Sequence, residues 1–126
     1  MSSYRKLSDM GGISNSNKDQ NKENVIVPEI TTIEDKNALI NNNKLVIVDV
    51  YANWCGPCQI TAPLFEKLYL KYKDVSKLVK ENVDLRLSLN TVQVVPTFQI
   101  FVDGKLKSQI TGSDIDAVED MIVKSL

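Results

Sequence analysis

The stretch from Leu45 to Tyr51 is a run of β-branched and apolar residues interrupted once, by Asp49, and Cys55 and Cys58 follow almost at once. Such a run reads as a central strand covered on both faces, so sheet and helices must flank it on either side. Around it the pattern alternates. Residues 25–31 predict a short strand that Pro28 confines to a sheet edge. Residues 32–40 predict a helix with Ile33, Asn37 and Ile40 along one side, ended by three consecutive asparagines. A long helix follows the cysteines, with Leu64 and Leu68 on one stripe and Phe65, Tyr69 and Tyr72 on another, kinked at Pro63.

Residues 78–83 predict a further strand, and 85–89 form a short apolar-polar stretch. Residues 97–102 and 105–110 flank Asp103-Gly104, a strong two-residue hairpin signal. A last helix, capped by Ser113 or Asp114, carries Ile115, Val118 and Ile122 inward. The order β-α-β-α-β-(α)-β-β-α is that of an α/β chain, a mixed β-sheet with helices on both faces. Residues 1–24 are mostly Ser, Asn, Lys, Asp, Gln and Gly and read as a mobile tail, or as an arm that docks on the domain or a partner. Residues 25–126 then form one domain, as a length of 126 residues allows.

Composition removes several classes of function. Fifteen basic and sixteen acidic side chains leave a net charge of -1, which gives no electrostatic case for nucleic acid or an anionic membrane. The absence of histidine excludes imidazole-based nucleophilic sites, and with only two cysteines a four-ligand Cys/His zinc site cannot close within one chain. No apolar run is long enough to span a bilayer, and the N-terminus lacks the apolar core of a secretory signal. A reducing, cytoplasmic setting is expected, cellular or viral.

Cys55 and Cys58 sit right after the central strand and at the start of a helix, on one face of its first turn and close enough to bridge. Unpaired N–H groups and the helix dipole favour negative charge on the first thiol, while the second lies a turn further in and is expected to be less exposed. One thiol attacks and the other resolves, as thiol-disulfide exchange requires. A structural disulfide, half of a zinc site shared across a dimer, and two inert buried thiols are the plainer readings. The first of these would close so small a loop that it contributes only about 2 kcal/mol. Asp49, a carboxylate in an apolar strand, is expected to have a raised pKa and to exchange protons near neutrality, unless it faces a polar loop.

The segment from Val48 through Trp54-Cys55-Gly56-Pro57-Cys58 resembles the active-site segment of the thioredoxin family. The resemblance extends to Pro63 in the following helix, to Val95-Pro96-Thr97 as a cis-proline segment, to the Asp103-Gly104 hairpin and to Gly112 before the last helix, and covers nearly all of residues 25–126. It implies a thioredoxin-like fold and a protein-disulfide reductase with Cys55 as nucleophile and Cys58 as resolving thiol. Asp49 would accept the proton of Cys58 through water, with Lys80 beside it on the next strand. Lys80 is otherwise a solvated strand charge. Trp54, Gly56, Pro57, Val95, Pro96 and Gly112 would form the surface that receives an extended stretch of substrate.

The resemblance further implies no bound cofactor or metal beyond the Cys55–Cys58 disulfide, disulfide-containing proteins as partners, an external reductase for recycling, and a monomer. Gly56-Pro57 favours a reductase over an oxidase or isomerase. A thioredoxin-fold interaction module with little turnover is the reading from another class. Four departures stand out: Tyr51 where the family usually has tryptophan, Val50 where phenylalanine is common, Gln59 where a basic residue is frequent, and a shortened stretch from 84 to 96 that predicts a third helix cut to one turn over 85–89.

Overall fold

The computed structural model describes residues 26–126. The expectation of a mobile tail over residues 1–24 lies outside them. The chain builds a five-stranded sheet from β1 (Glu29–Ile30), β2 (Leu45–Tyr51), β3 (Lys77–Asn82), β4 (Thr97–Val102) and β5 (Lys105–Thr111). The strand order is β1-β3-β2-β4-β5. β2 is central, parallel to β3 on one side and antiparallel to β4 on the other. Three helices, α1 (Ile33–Asn42), α2 (Gly56–Tyr72) and α3 (Ile115–Ser125), cover the two faces.

The alternation along β2 divides the core. Leu45 and Ile47 point to the face packed by Phe65, Leu68 and Tyr72 of α2 and by Ile115, Val118 and Ile122 of α3. Val46, Val48 and Val50 point to the other face, where Ile40 of α1 and Val79 of β3 meet them. The strand is therefore buried on both faces, as its composition requires.

Several local expectations need correction. The first strand is only two residues long, because Pro28 brings no N–H and contributes its carbonyl alone, accepting from Lys80 N at 2.9 Å. In α1 the inward side carries Lys36 and Ile40 while Ile33 is exposed, so the apolar spacing did not mark the buried face. In α2 one stripe is buried rather than two, running through Cys58, Thr61, Phe65, Leu68 and Tyr72. The single turn after β3 is a 3-10 helix at Val83–Leu85, not a turn over 85–89. Arg86 adopts a left-handed backbone (φ 65°) directly after it and stops it there.

The hairpin forms as expected, with Asp103 and Gly104 both at positive φ, the conformation a tight two-residue connection needs. Asp114, rather than Ser113, caps α3 by accepting from Ala117 N.

Candidate functional site

The carboxyl ends of the parallel strands β2 and β3 converge on the start of α2, and the two cysteines lie there. Cys55 is the N-cap of α2, and its sulfur accepts the Cys58 N–H at 3.1 Å. Cys55 and Cys58 are joined in a disulfide, with Cα atoms 5.3 Å apart. The N-cap position gives the Cys55 sulfur an oriented donor and the positive end of a helix, both of which favour a thiolate once the bond is reduced. The expected contrast in exposure is almost absent, since Cys55 and Cys58 are 5% and 4% exposed. Their asymmetry lies instead in hydrogen bonding and in what each one faces.

Cys55 faces the segment before β4. The Val95 carbonyl oxygen lies 3.7 Å from its sulfur, and the Val95-Pro96 peptide bond is cis. Gly112, at φ 93°, donates its N–H to the Pro96 carbonyl at 2.8 Å and so ties the end of β5 to this segment. Trp54 is 69% exposed beside the cysteines. Its indole N–H donates to Asp84 on the 3-10 turn at 3.1 Å. Gly56 and Pro57 form the exposed first turn of α2. A Cβ on Gly56 would meet nothing within 4 Å, so the turn into the helix does not itself require glycine.

Cys58 faces a different environment. A cavity of about 260 Å³ lies between it and Asp49, lined also by Tyr51, Ala52, Asn53, Gln59, Ala62 and Lys80. That volume admits several water molecules. Asp49 is 1% exposed, and its buried Oδ1 has no hydrogen-bond partner in the protein. Burial pushes its carboxyl up to about 7, with the nearby Lys80 ammonium pulling it down and Glu29 pushing it up again. Lys80 stands opposite Asp49 in the β2–β3 register. A carboxyl balanced near neutrality, next to a space that admits water and reaches Cys58, is equipped to take up and release a proton.

Sequence reasoning missed Asp84 and Glu29, which bind the Trp54 and Tyr51 side chains from elsewhere in the chain. Nothing local to either residue announces that contact. Among the described residues no group of three or more His, Cys, Asp or Glu is placed to hold a metal ion, and no helix there is long and apolar enough to cross a membrane.

A family model described as Thioredoxin matches residues 26–124. A thioredoxin of Coprinus comatus is 33% identical over 106 residues, covering 80% of this chain and 99% of that protein. Thioredoxin-1 of Saccharomyces cerevisiae is 33% identical over 99 residues, covering 77% of this chain and 96% of that one. Among solved structures, the reduced thioredoxin pre-protein of Schistosoma mansoni superposes with a TM-score of 0.71 at 37% identity, covering 78% of this chain and 96% of its own.

Proposed function

The chain belongs to the thioredoxin family, and from that premise we propose how its residues divide the work of a protein-disulfide reductase. It is a thiol-disulfide oxidoreductase that reduces protein disulfides by dithiol-disulfide exchange through Cys55 and Cys58, and the reaction needs no cofactor beyond that redox-active pair. In the reduced protein, the Cys55 thiolate attacks one sulfur of a partner's disulfide. A mixed disulfide forms, and the partner's other sulfur leaves as a thiolate. Cys58 then loses its proton and attacks Cys55 Sγ. The partner departs with both sulfurs reduced, and two electrons have passed to it from the pair, now closed as Cys55–Cys58.

Asp49 is the proton acceptor for Cys58, by way of water in the cavity between them, and Lys80 is the charge that keeps its carboxylate within reach of neutral pH. What supports this role is one observation: a buried carboxylate oxygen without a partner beside a cavity that reaches the resolving cysteine. Trp54, Gly56, Pro57, Val95, Pro96 and Gly112 receive the substrate, whose extended backbone pairs with the Val95 segment while Trp54 covers the reacting sulfurs. Residues 25–126 are the working domain. The partners are disulfide-containing proteins, an external reductase restores the dithiol, and the setting is cytoplasmic, the chain acting as a monomer in electron transport to disulfides.

Insulin reduction with a dithiol donor tests the assignment. Cys55→Ser abolishes turnover, and Cys58→Ser accumulates a mixed disulfide. In Asp49→Asn the mixed disulfide forms at the normal rate but resolves roughly ten- to a hundredfold more slowly, as the loss of a general base implies. Equal resolution rates for Asp49→Asn and the parent protein across the neutral range remove Asp49 from the mechanism.

A further inference from the structure

Tyr51, one of the departures from the family pattern, lines the cavity together with Asp49 and Lys80 and reaches a third charged group, Glu29, beyond its lining. Its hydroxyl is 2.8 Å from both carboxylate oxygens of Glu29, to which it donates its proton. Its ring carries the Lys80 ammonium, whose Nζ is 4.4 Å from the ring centroid. Glu29 and Lys80 are register partners in the parallel β1–β3 pair, and Lys80 and Asp49 are register partners in the β2–β3 pair. The three strands thus place Glu29, Lys80 and Asp49 side by side on one face, with Tyr51 two residues beyond Asp49 on the same face.

We propose that Tyr51 is a positioning residue for the resolving step, its ring fixing the Lys80 ammonium beside Asp49 and its hydroxyl restraining the Glu29 carboxylate. This rests on the reading of Asp49 as the proton acceptor. The groups facing Asp49 are Lys80 from β3, Glu29 from β1, Tyr51 from its own strand and Cys58 from α2, while β4 opposes it with Phe98. Lys80 and Glu29 act on it with opposite sign, so its proton affinity depends on how the two charges are held. A cation held over an aromatic face in the wall of a cavity is restrained as it would not be in open water. The Tyr51 hydroxyl is itself pushed up to about 12, by partial burial first and then by its bond to Glu29. It therefore stays a protonated donor throughout the neutral range.

The test is a carboxyl-carbon NMR titration of Asp49 in the oxidised full-length protein, together with the pH dependence of mixed-disulfide resolution. Tyr51→Leu frees Lys80 into solvent and moves the Asp49 midpoint upward, and Glu29→Gln removes a negative charge and moves it downward, each by roughly half a pH unit. Tyr51→Phe keeps the ring and stays closer to the parent value than Tyr51→Leu does. Resolution in Tyr51→Leu is slowed several-fold at the acid end of the range and converges with the parent at the alkaline end, whereas a merely structural lesion lowers the rate at every pH. Equal shifts in Tyr51→Leu and Tyr51→Phe, no shift in Tyr51→Leu and Glu29→Gln, or an upward shift in Glu29→Gln overturns the inference. If Asp49→Asn retains the parental pH step in resolution, the reading of Asp49 itself fails. If Asp49→Asn loses that step while the Asp49 midpoint ignores Tyr51 and Glu29, only the present inference falls.

Discussion

Two buried carboxylates sit on neighbouring strands and face opposite sides of the same sheet, and they have opposite fates. Glu81 on β3 is fully buried on the α1 side. Its carboxylate accepts from Lys36 Nζ at 2.6 Å and from Ser88 Oγ at 2.6 Å. The same ammonium donates to Gln99 at 2.8 Å and to Ser88 at 3.0 Å. Asp49 on β2 is buried to almost the same degree on the α2 side, yet one of its oxygens has no partner in the protein. Burial is common to both acids, so burial alone does not leave a carboxylate oxygen unpaired. The difference is satisfaction: Glu81 has its compensating charge in contact, whereas Asp49 has a water-sized cavity and a lysine held at one remove. The first arrangement joins α1, β3, β4 and the segment after β3, and the second leaves a buried carboxylate oxygen unpaired beside open space.

The strongest way to break this comparison is to make Glu81 resemble Asp49. Lys36→Met leaves the glutamate buried without its cation, and equilibrium denaturation should show a loss of about 3–5 kcal/mol at neutral pH. The double variant Lys36→Met, Glu81→Leu should regain most of that loss, since a desolvated pair can be replaced by apolar volume at little net cost. Insulin reduction per folded molecule should remain near the parental value in both. A stability loss in the double variant as large as in the single one would mean that the network contributes through geometry rather than through charge satisfaction.

The reverse operation, relieving Asp49, should stabilise the protein. Its carboxyl titrates near 7 in the fold and near 3.8 in the unfolded chain, so between those values the folded state binds more protons. Stability therefore falls as pH rises through that window, and the loss is complete above the folded value. Converted at 1.36 kcal/mol per pKa unit, the displacement corresponds to about 4 kcal/mol as an upper figure. Asp49→Asn should accordingly be more stable than the parent by about 2–4 kcal/mol near pH 8, with the gain shrinking toward pH 4. A gain independent of pH would show that shape, not the buried charge, sets the penalty. With the slower resolution proposed for the same substitution, stability and turnover should move in opposite directions.

Only one of these two acids was legible in the sequence. Asp49 interrupts an apolar β-branched run, and a carboxylate there must either be buried or break the strand. Glu81 lies in Lys-Leu-Val-Lys-Glu-Asn, beside Lys80 and Asn82, where nothing adjacent in the chain marks it for burial. Its burial depends on Lys36, 45 residues away, and on Ser88 and Gln99. The inward side of α1 is hidden for the same reason: the spacing of Ile33, Asn37 and Ile40 gives no sign that Lys36 is buried, because the cation's partners come from other elements. The central strand, the hairpin at Asp103-Gly104 and the cysteine pair were readable because each is specified by residues adjacent in the chain. The 3-10 turn at Val83–Leu85 was displaced in the reading because its stop, Arg86 in a left-handed conformation, is not a residue that announces one.

A third carboxylate sharpens the contrast at its mild end. Asp84 is satisfied like Glu81 but exposed, accepting the Trp54 indole N–H across the rim of the site. Exposure lets water replace that bond, so Asp84→Ala should change stability by no more than about 0.5 kcal/mol. What it removes is the restraint on an indole that is 69% exposed beside the reacting sulfurs. Ordering that side chain on each encounter then falls to the substrate, about 0.5–1.5 kcal/mol per immobilised side chain, or a two- to tenfold rise in KM for insulin with kcat little changed. Asp84→Asn, whose side-chain oxygen still accepts the indole proton, should recover most of the difference. A fall in kcat instead of a rise in KM would give Asp84 a part in the proton transfer proposed for Asp49, rather than a place with the acids that hold other side chains in position.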